Sequence, residues 1–139
     1  MYRKMLVAND GSPGGAKALE SALELAKRLG IGLTMVCVED LPRFPAVVDV
    51  VPQAQAEGTS GFDPVVESAK TLAGTEGVAF EAQILFGHPA PRIAEFVEHG
   101  GYDLLVVGYK GHSALYEQFI GSTADRLVTL APCKVMVVK

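Results

Sequence analysis

The chain has 139 residues, 49% of them hydrophobic and 20% charged, and a formal net charge of −4. That length suits one domain burying roughly 70% of the surface its unfolded form exposes, without a covalent staple. The acidic balance argues against general binding to nucleic acid or to an anionic membrane, where a basic face is needed.

No stretch is long and apolar enough for a signal peptide or a membrane span, which points to the cytoplasm. Cys37 and Cys133 lie far apart, form neither a CxxC pair nor a metal-ligand cluster, and read as core thiols. In chain order, the first β-rich run, Lys4–Asn9, leads into Asp10-Gly11-Ser12. Ser12 is placed to cap a helix with Pro13 in its first turn. Ala16, Leu19, Leu23 and Ala26 form its apolar stripe, Ala22, Leu25 and Leu29 widen it, and Gly30 ends it. A second strand is expected over Gly32–Val38. Residues 41–62 are long for a connection, where about 2–6 residues is usual. Pro42, Pro45, Pro52 and the polar end Glu57-Gly58-Thr59-Ser60-Gly61 suit either a lid over a crevice or a surface excursion.

Asp63-Pro64 opens a second helix running to Gly74 or Gly77, followed by a strand over Val78–Phe86. A third helix starts after Pro89 and ends at Gly100-Gly101, and Tyr102–Val107 is the fourth strand. Beyond a glycine-bearing loop, Ser122 is placed as the N-cap of a last helix, with Asp125 three residues on as in a capping box. Leu127, Val128 and Leu130 carry its apolar face until Pro132, and Lys134–Val138 is the last strand.

Strands alternating with amphipathic helices predict an α/β, doubly wound architecture, a parallel sheet covered on both faces. Within it, Gly108 to Thr123 reads GYKGHSALYEQFIGST and has the form of a phosphate cradle. Gly108 and Gly111 follow a buried strand, where bare backbone can approach a ligand. The helix after Gly121 offers N–H groups and the positive end of its dipole. The plain alternative is a strand-to-helix connection in which the glycines only turn the chain. Neither a Walker P-loop nor the dinucleotide fingerprint Gly-x-Gly-x-x-Gly occurs.

A longer pattern adds weight to the cradle. The string G-x2-G-x9-G-S/T, here Gly108, Gly111 and Gly121-Ser122, is followed by Ala131-Pro132-Cys133 and the valine-rich run Val135 to Val138. It resembles the carboxy-terminal signature of the universal stress protein family. Met5 to Ser12 resembles the family's first strand and Asp-Gly-Ser turn, and Gly87-His88-Pro89 fits ahead of the third helix, so the likeness spans nearly the whole chain. The resemblance implies one nucleotide-binding domain over 1–139, Rossmann-like and of the adenine nucleotide alpha hydrolase-like kind. Its five-stranded sheet would have the order 3-2-1-4-5, and a homodimer would form through strand 134–138. The ligand implied is ATP with Mg²⁺, as in members that carry the full glycine motif. Gly108, Gly111, Gly121, Ser122 and Thr123 would hold ribose and phosphates, and Asp10 and Val38 would face the nucleoside. The implied order sets strands 1 and 4 side by side where the winding reverses, so the Asp10 turn and the glycine loop converge on one crevice.

From the residues alone, Asp10 can equally support its own turn and Val38 can be core. Lys110 and His112 flank Gly111 either as cationic partners for phosphate or as solvated loop residues. Tyr109 stands where the family often has a small residue. His88 and His99 suit helix ends, and Arg126 suits solvent. No positioned base or cationic clamp is apparent, so no catalytic residue and no protein metal ligand is assigned. The resemblance implies a nucleotide-dependent stress-response or signalling module read by an unidentified regulatory partner. The alternatives are a slow ATP hydrolase or phosphotransferase at the same site, and a flavodoxin-like FMN carrier.

Overall fold

The computed structural model describes residues 1–40, 61–110 and 119–139. The long connection predicted at 41–62 therefore lies outside the described residues except for its last two. The described elements are β1 Met5–Ala8, α1 Pro13–Leu29, β2 Leu33–Glu39, α2 Asp63–Glu76, β3 Phe80–Phe86, α3 Pro89–Gly100, β4 Leu104–Gly108, α4 Ser122–Leu130 and β5 Lys134–Val138. The strands form one five-stranded sheet of order β3-β2-β1-β4-β5, each pair parallel. This is the Rossmann-like order expected.

Successive strand residues point to opposite faces, and each face has its own core. Met5, Val7, Met35, Cys37, Leu104 and Val106 meet the alanine-rich stripe of α1 (Ala18, Ala22, Ala26) and Ala69 and Ala73 of α2. Leu6, Val36, Leu85, Leu105 and Val107 meet Ala90, Ile93 and Val97 of α3 and Ala124 and Leu127 of α4. The central strand β1 is therefore apolar at every position and its neighbours nearly so, as a sheet buried on both faces requires.

Three of the helices end the same way. Gly30, Gly77 and Gly101 lie at φ 69°, 70° and 68°. The next residue's N–H then reaches back into the helix: Ile31 donates to Ala26 O at 3.1 Å, Val78 to Ala73 O at 3.0 Å and Tyr102 to Val97 O at 3.2 Å. This explains why β3 and β4 begin two residues later than the hydrophobic runs suggest. Val78 and Tyr102 are apolar and buried, but their N–H groups close helices instead of joining the sheet ladder.

The start of α4 also departs from expectation. Gly121, extended at φ −63° and ψ 151°, is the N-cap, no side chain caps the helix, and Ser122 is its first residue. Gly121 is fixed there by its own backbone: its N–H donates to Tyr109 O at 2.6 Å and its carbonyl accepts Asp125 N–H at 2.9 Å. Asp125 thus falls one position too late for a capping box. At the other end Ala131 turns extended, as a residue before proline must.

The two cysteines differ. Cys37 is fully buried, and burial, followed by the charges of Asp10 and Glu39, pushes its thiol from the ordinary 9.0 up to about 12. Cys133 is only half-buried, a correction to its reading as a core thiol, because it sits where β5 begins and its S–H donates to Lys134 O at 3.3 Å. Burial also raises the Cys133 thiol, so a thiol reagent at about pH 8 should label the accessible Cys133 slowly in the native protein and reach Cys37 only on unfolding. The raised Cys37 value means the native state holds the neutral thiol. Its contribution to stability is complete below the unfolded value of 9.0 and is lost as pH rises toward about 12. Rapid native-state labelling of Cys37 would contradict this.

Candidate functional site

At the carboxyl ends of β1, β2 and β4 a crevice of about 560 Å³ opens between the helical layers, at the point where the winding reverses. Asp10, Val38, Gly108, Gly121, Ser122 and Thr123 all line it, with Lys110 beside them. Gly111 and His112 lie outside the described residues. His88 occupies the N-cap position of α3 without a side-chain capping bond, His99 sits in its last turn, both at helix ends as expected, and Arg126 is exposed.

On the β1 side the chain makes a tightly bonded turn. Gly11 adopts φ +81°, a conformation that favours glycine. Its N–H donates to Asn9 Oδ1 at 2.9 Å. Ser12 N–H donates to Asp10 Oδ1 at 3.0 Å, and the Ser12 hydroxyl donates to the same oxygen. Ser12 Oγ in turn accepts Gly15 N–H at 3.1 Å and caps α1. Asp10 thus supports its own turn and also lines the crevice.

Gly108 has a structural reason to be glycine that precedes any ligand. A Cβ there would stand 2.5 Å from the carbonyl oxygen of Gly14 and 2.7 Å from its carbonyl carbon. A Cβ on Gly14 would in turn run into the carbonyl oxygen of Lys110. The first turn of α1 and the end of β4 are interlocked through two bare backbones. Gly15 is equally crowded, with Asn9 Oδ1 in the way of any Cβ.

Asn9, Gly14 and Gly15 went unassigned in the sequence. The available signal was two glycines in the first turn of a helix, where each costs about 1 kcal/mol against alanine and so must be required by something else. Pro89 and Ile93, which also line the crevice, carried no such mark.

On the β2 side, Val38 is joined by Val36, Glu39, Asp40 and Phe62. Glu39 Oε1 accepts Gly61 N–H at 3.1 Å, and its backbone carbonyl accepts Gly87 N–H at 2.9 Å. Glu39 thereby ties Gly61 and Gly87 together beside the crevice. On the β4 side, Gly121, Ser122 and Thr123 present the N-terminal end of α4, which suits an anion. Ala8, Val36, Val107 and Ile93 supply apolar wall, which suits a flat, weakly polar ring.

The fold and crevice define a doubly wound α/β protein with an open crevice at its switch point. The family model for "Universal stress protein family" matches residues 1–139. The chain is 32% identical over 148 residues to universal stress protein YxiE of Bacillus subtilis, covering 100% of each. It belongs to the universal stress protein family. Its fold matches universal stress protein UspA from Lactobacillus plantarum with a TM-score of 0.84 at 24% identity, covering 99% of this chain and 98% of that one. A family protein from Arabidopsis thaliana, described with AMP bound, matches with a TM-score of 0.71 at 23% identity, covering 99% of this chain and 90% of that one. Among the described residues no helix is long and apolar enough to cross a membrane.

Proposed function

We propose that this protein binds an adenine nucleotide, ATP with Mg²⁺, in the switch-point crevice, and acts as a nucleotide-dependent stress-response or signalling module. The observation that carries the reading is the convergence of the Asp10 turn, the Val38 strand end and the N-terminus of α4 on one crevice. The apolar wall suits the base, Asp10 and Val38 the nucleoside, and Gly121, Ser122, Thr123 and Lys110 the phosphates. Gly108 contributes by holding the two sides together. The AMP described in the Arabidopsis protein supports the ligand class.

Among the described residues no three His, Cys, Asp or Glu side chains gather to hold a metal. Mg²⁺ would accordingly arrive on the phosphates, as this hard cation does when few carboxylates serve it. Asp10 is the carboxylate of the β1 turn at the crevice. Two copies are proposed to pair along β5, whose outer edge is apolar.

Ligand extracted from the purified protein and identified by mass spectrometry tests the reading directly. A nucleotide at one hundred times its dissociation constant adds about 2.7 kcal/mol to the folded state. Mg-ATP should therefore raise the melting temperature by about 5–10 °C for a chain of this size. No shift with millimolar ATP and no retained nucleotide would sink it.

A further inference from the structure

We infer that Asn9 is the positioning residue of the crevice: its carboxamide sets the Asp10-Gly11-Ser12 turn so that the Asp10 carboxylate meets the nucleoside. This deepens the nucleotide reading above and rests on it.

Asn9 is 5% exposed and, with Ser12, one of the buried polar residues among those described. It closes β1, its N–H donating to Val36 O at 3.0 Å. A buried carboxamide in a strand end is costly unless its groups are used. Asn9 Oδ1 accepts Gly11 N–H at 2.9 Å, two residues on, the bond of an Asx turn. Its Nδ2 donates to Met35 Sδ at 3.6 Å, a weak acceptor that fixes which way the amide points. The same Oδ1 lies against Gly15, where a Cβ would collide with it.

One oxygen therefore touches both Gly11, the positive-φ residue of the turn, and the first turn of α1. Asp10 lies between these anchored points. Its Oδ1 is held by Ser12, whose Oγ is held by Gly15 N–H. The link through the Ser12 hydroxyl ends on Gly15, which packs against Asn9 Oδ1, and Asn9 itself lines the crevice. Plain packing does not account for this, since an apolar residue would fill the space beside Met35 without a desolvation cost.

The test is binding of adenosine and of Mg-ATP by calorimetry, with hydrogen exchange of the Gly11 amide followed by NMR. Asn9→Ala should weaken both ligands by the same factor, about tenfold, and speed Gly11 exchange. The equal factor places the loss at the nucleoside end. Asn9→Ser, whose hydroxyl makes the same turn more weakly, should fall between Asn9→Ala and wild type in both readouts, and it decides the matter if the alanine variant does not fold. In the Asp10→Ala background, Asn9→Ala should cost ATP affinity nothing further, because the residue acts through Asp10. Asn9→Ala binding at wild-type affinity while Gly11 exchanges faster would overturn the positioning role and leave the nucleotide reading standing. A further tenfold loss on top of Asp10→Ala would overturn it too. Wild-type protein that binds neither ligand would overturn the nucleotide reading and the role with it.

Discussion

Gly14→Ala should lower the melting temperature by about 5–10 °C, although alanine is the better helix former by about 1 kcal/mol. The sign is decided by what surrounds the position. A Cβ on Gly14 would overlap the carbonyl oxygen of Lys110, and the reciprocal Cβ on Gly108 would stand 2.5 Å from Gly14 O. Both obstacles are backbone, so neither can rotate aside, and forcing such a contact costs about 1–3 kcal/mol or more. With two rigid backbones in the way the cost falls at the upper end of that range, and net destabilisation of about 2 kcal/mol remains after the helix gain of about 1 kcal/mol.

Gly74 is the internal comparison. It lies inside α2, and a Cβ there would meet nothing within 4 Å. Gly74→Ala should thus stabilise by about 0.5–1 kcal/mol. Thermal unfolding of the two variants side by side checks the claim, and a Gly14→Ala protein that gains stability as Gly74→Ala does would refute the interlock. The same variant should also impair the crevice, because the forced separation moves the Asp10 turn away from the end of β4.

This pair shows what was legible in the sequence and what was not. Periodicity located all the described elements, because buried parallel strands and amphipathic helices leave patterns that depend only on local spacing. The order β3-β2-β1-β4-β5 came from the family likeness, since spacing says which residues share a face and not which strands touch. Gly108 was read as room for a ligand. It faces another backbone nearly a hundred residues earlier in the chain, and such a contact has no sequence signature. Asn9 was missed for a similar reason: one polar residue closing an apolar strand gains its meaning only when Gly15 and Met35 are packed against it. Ser122 was misplaced by one residue because the hydrogen bond from Gly121 to Tyr109 reaches across the base of the glycine loop, and N-cap preferences do not include such a constraint. The turn made by Asp10, by contrast, was legible, since an Asx turn is a local event.

Met136→Lys should convert the proposed β5-paired dimer to a monomer of 14.7 kDa. The sheet has two edges of unlike character. Along β3 the exposed positions are Glu81 and Gln83, polar groups that discourage strand addition. Along β5 the run is Lys134-Val135-Met136-Val137-Val138, and β4 is its sheet neighbour on one side only. Met136 is 36% exposed, and Val128 and Leu130 of the nearby α4 are exposed as well. The flanking lysines give the edge little protection. The Lys134 ammonium lies 5.6 Å from the centre of the Tyr2 ring, and that of Lys139 lies 5.2 Å from the Tyr109 ring, so both are turned onto their own chain. A twofold axis beside β5 would pair it with its own copy in antiparallel sense, covering the unpaired backbone and the apolar side chains together. The substitution has to be made at the exposed position. Val135 and Val137 pack against the core under α3 and α4, and lysine at either would test folding as much as association. At Met136 the charge is set on the exposed edge and leaves the core untouched. Sedimentation equilibrium of both proteins decides the matter: a monomeric wild type, or a dimer that survives Met136→Lys, would exclude pairing through this edge.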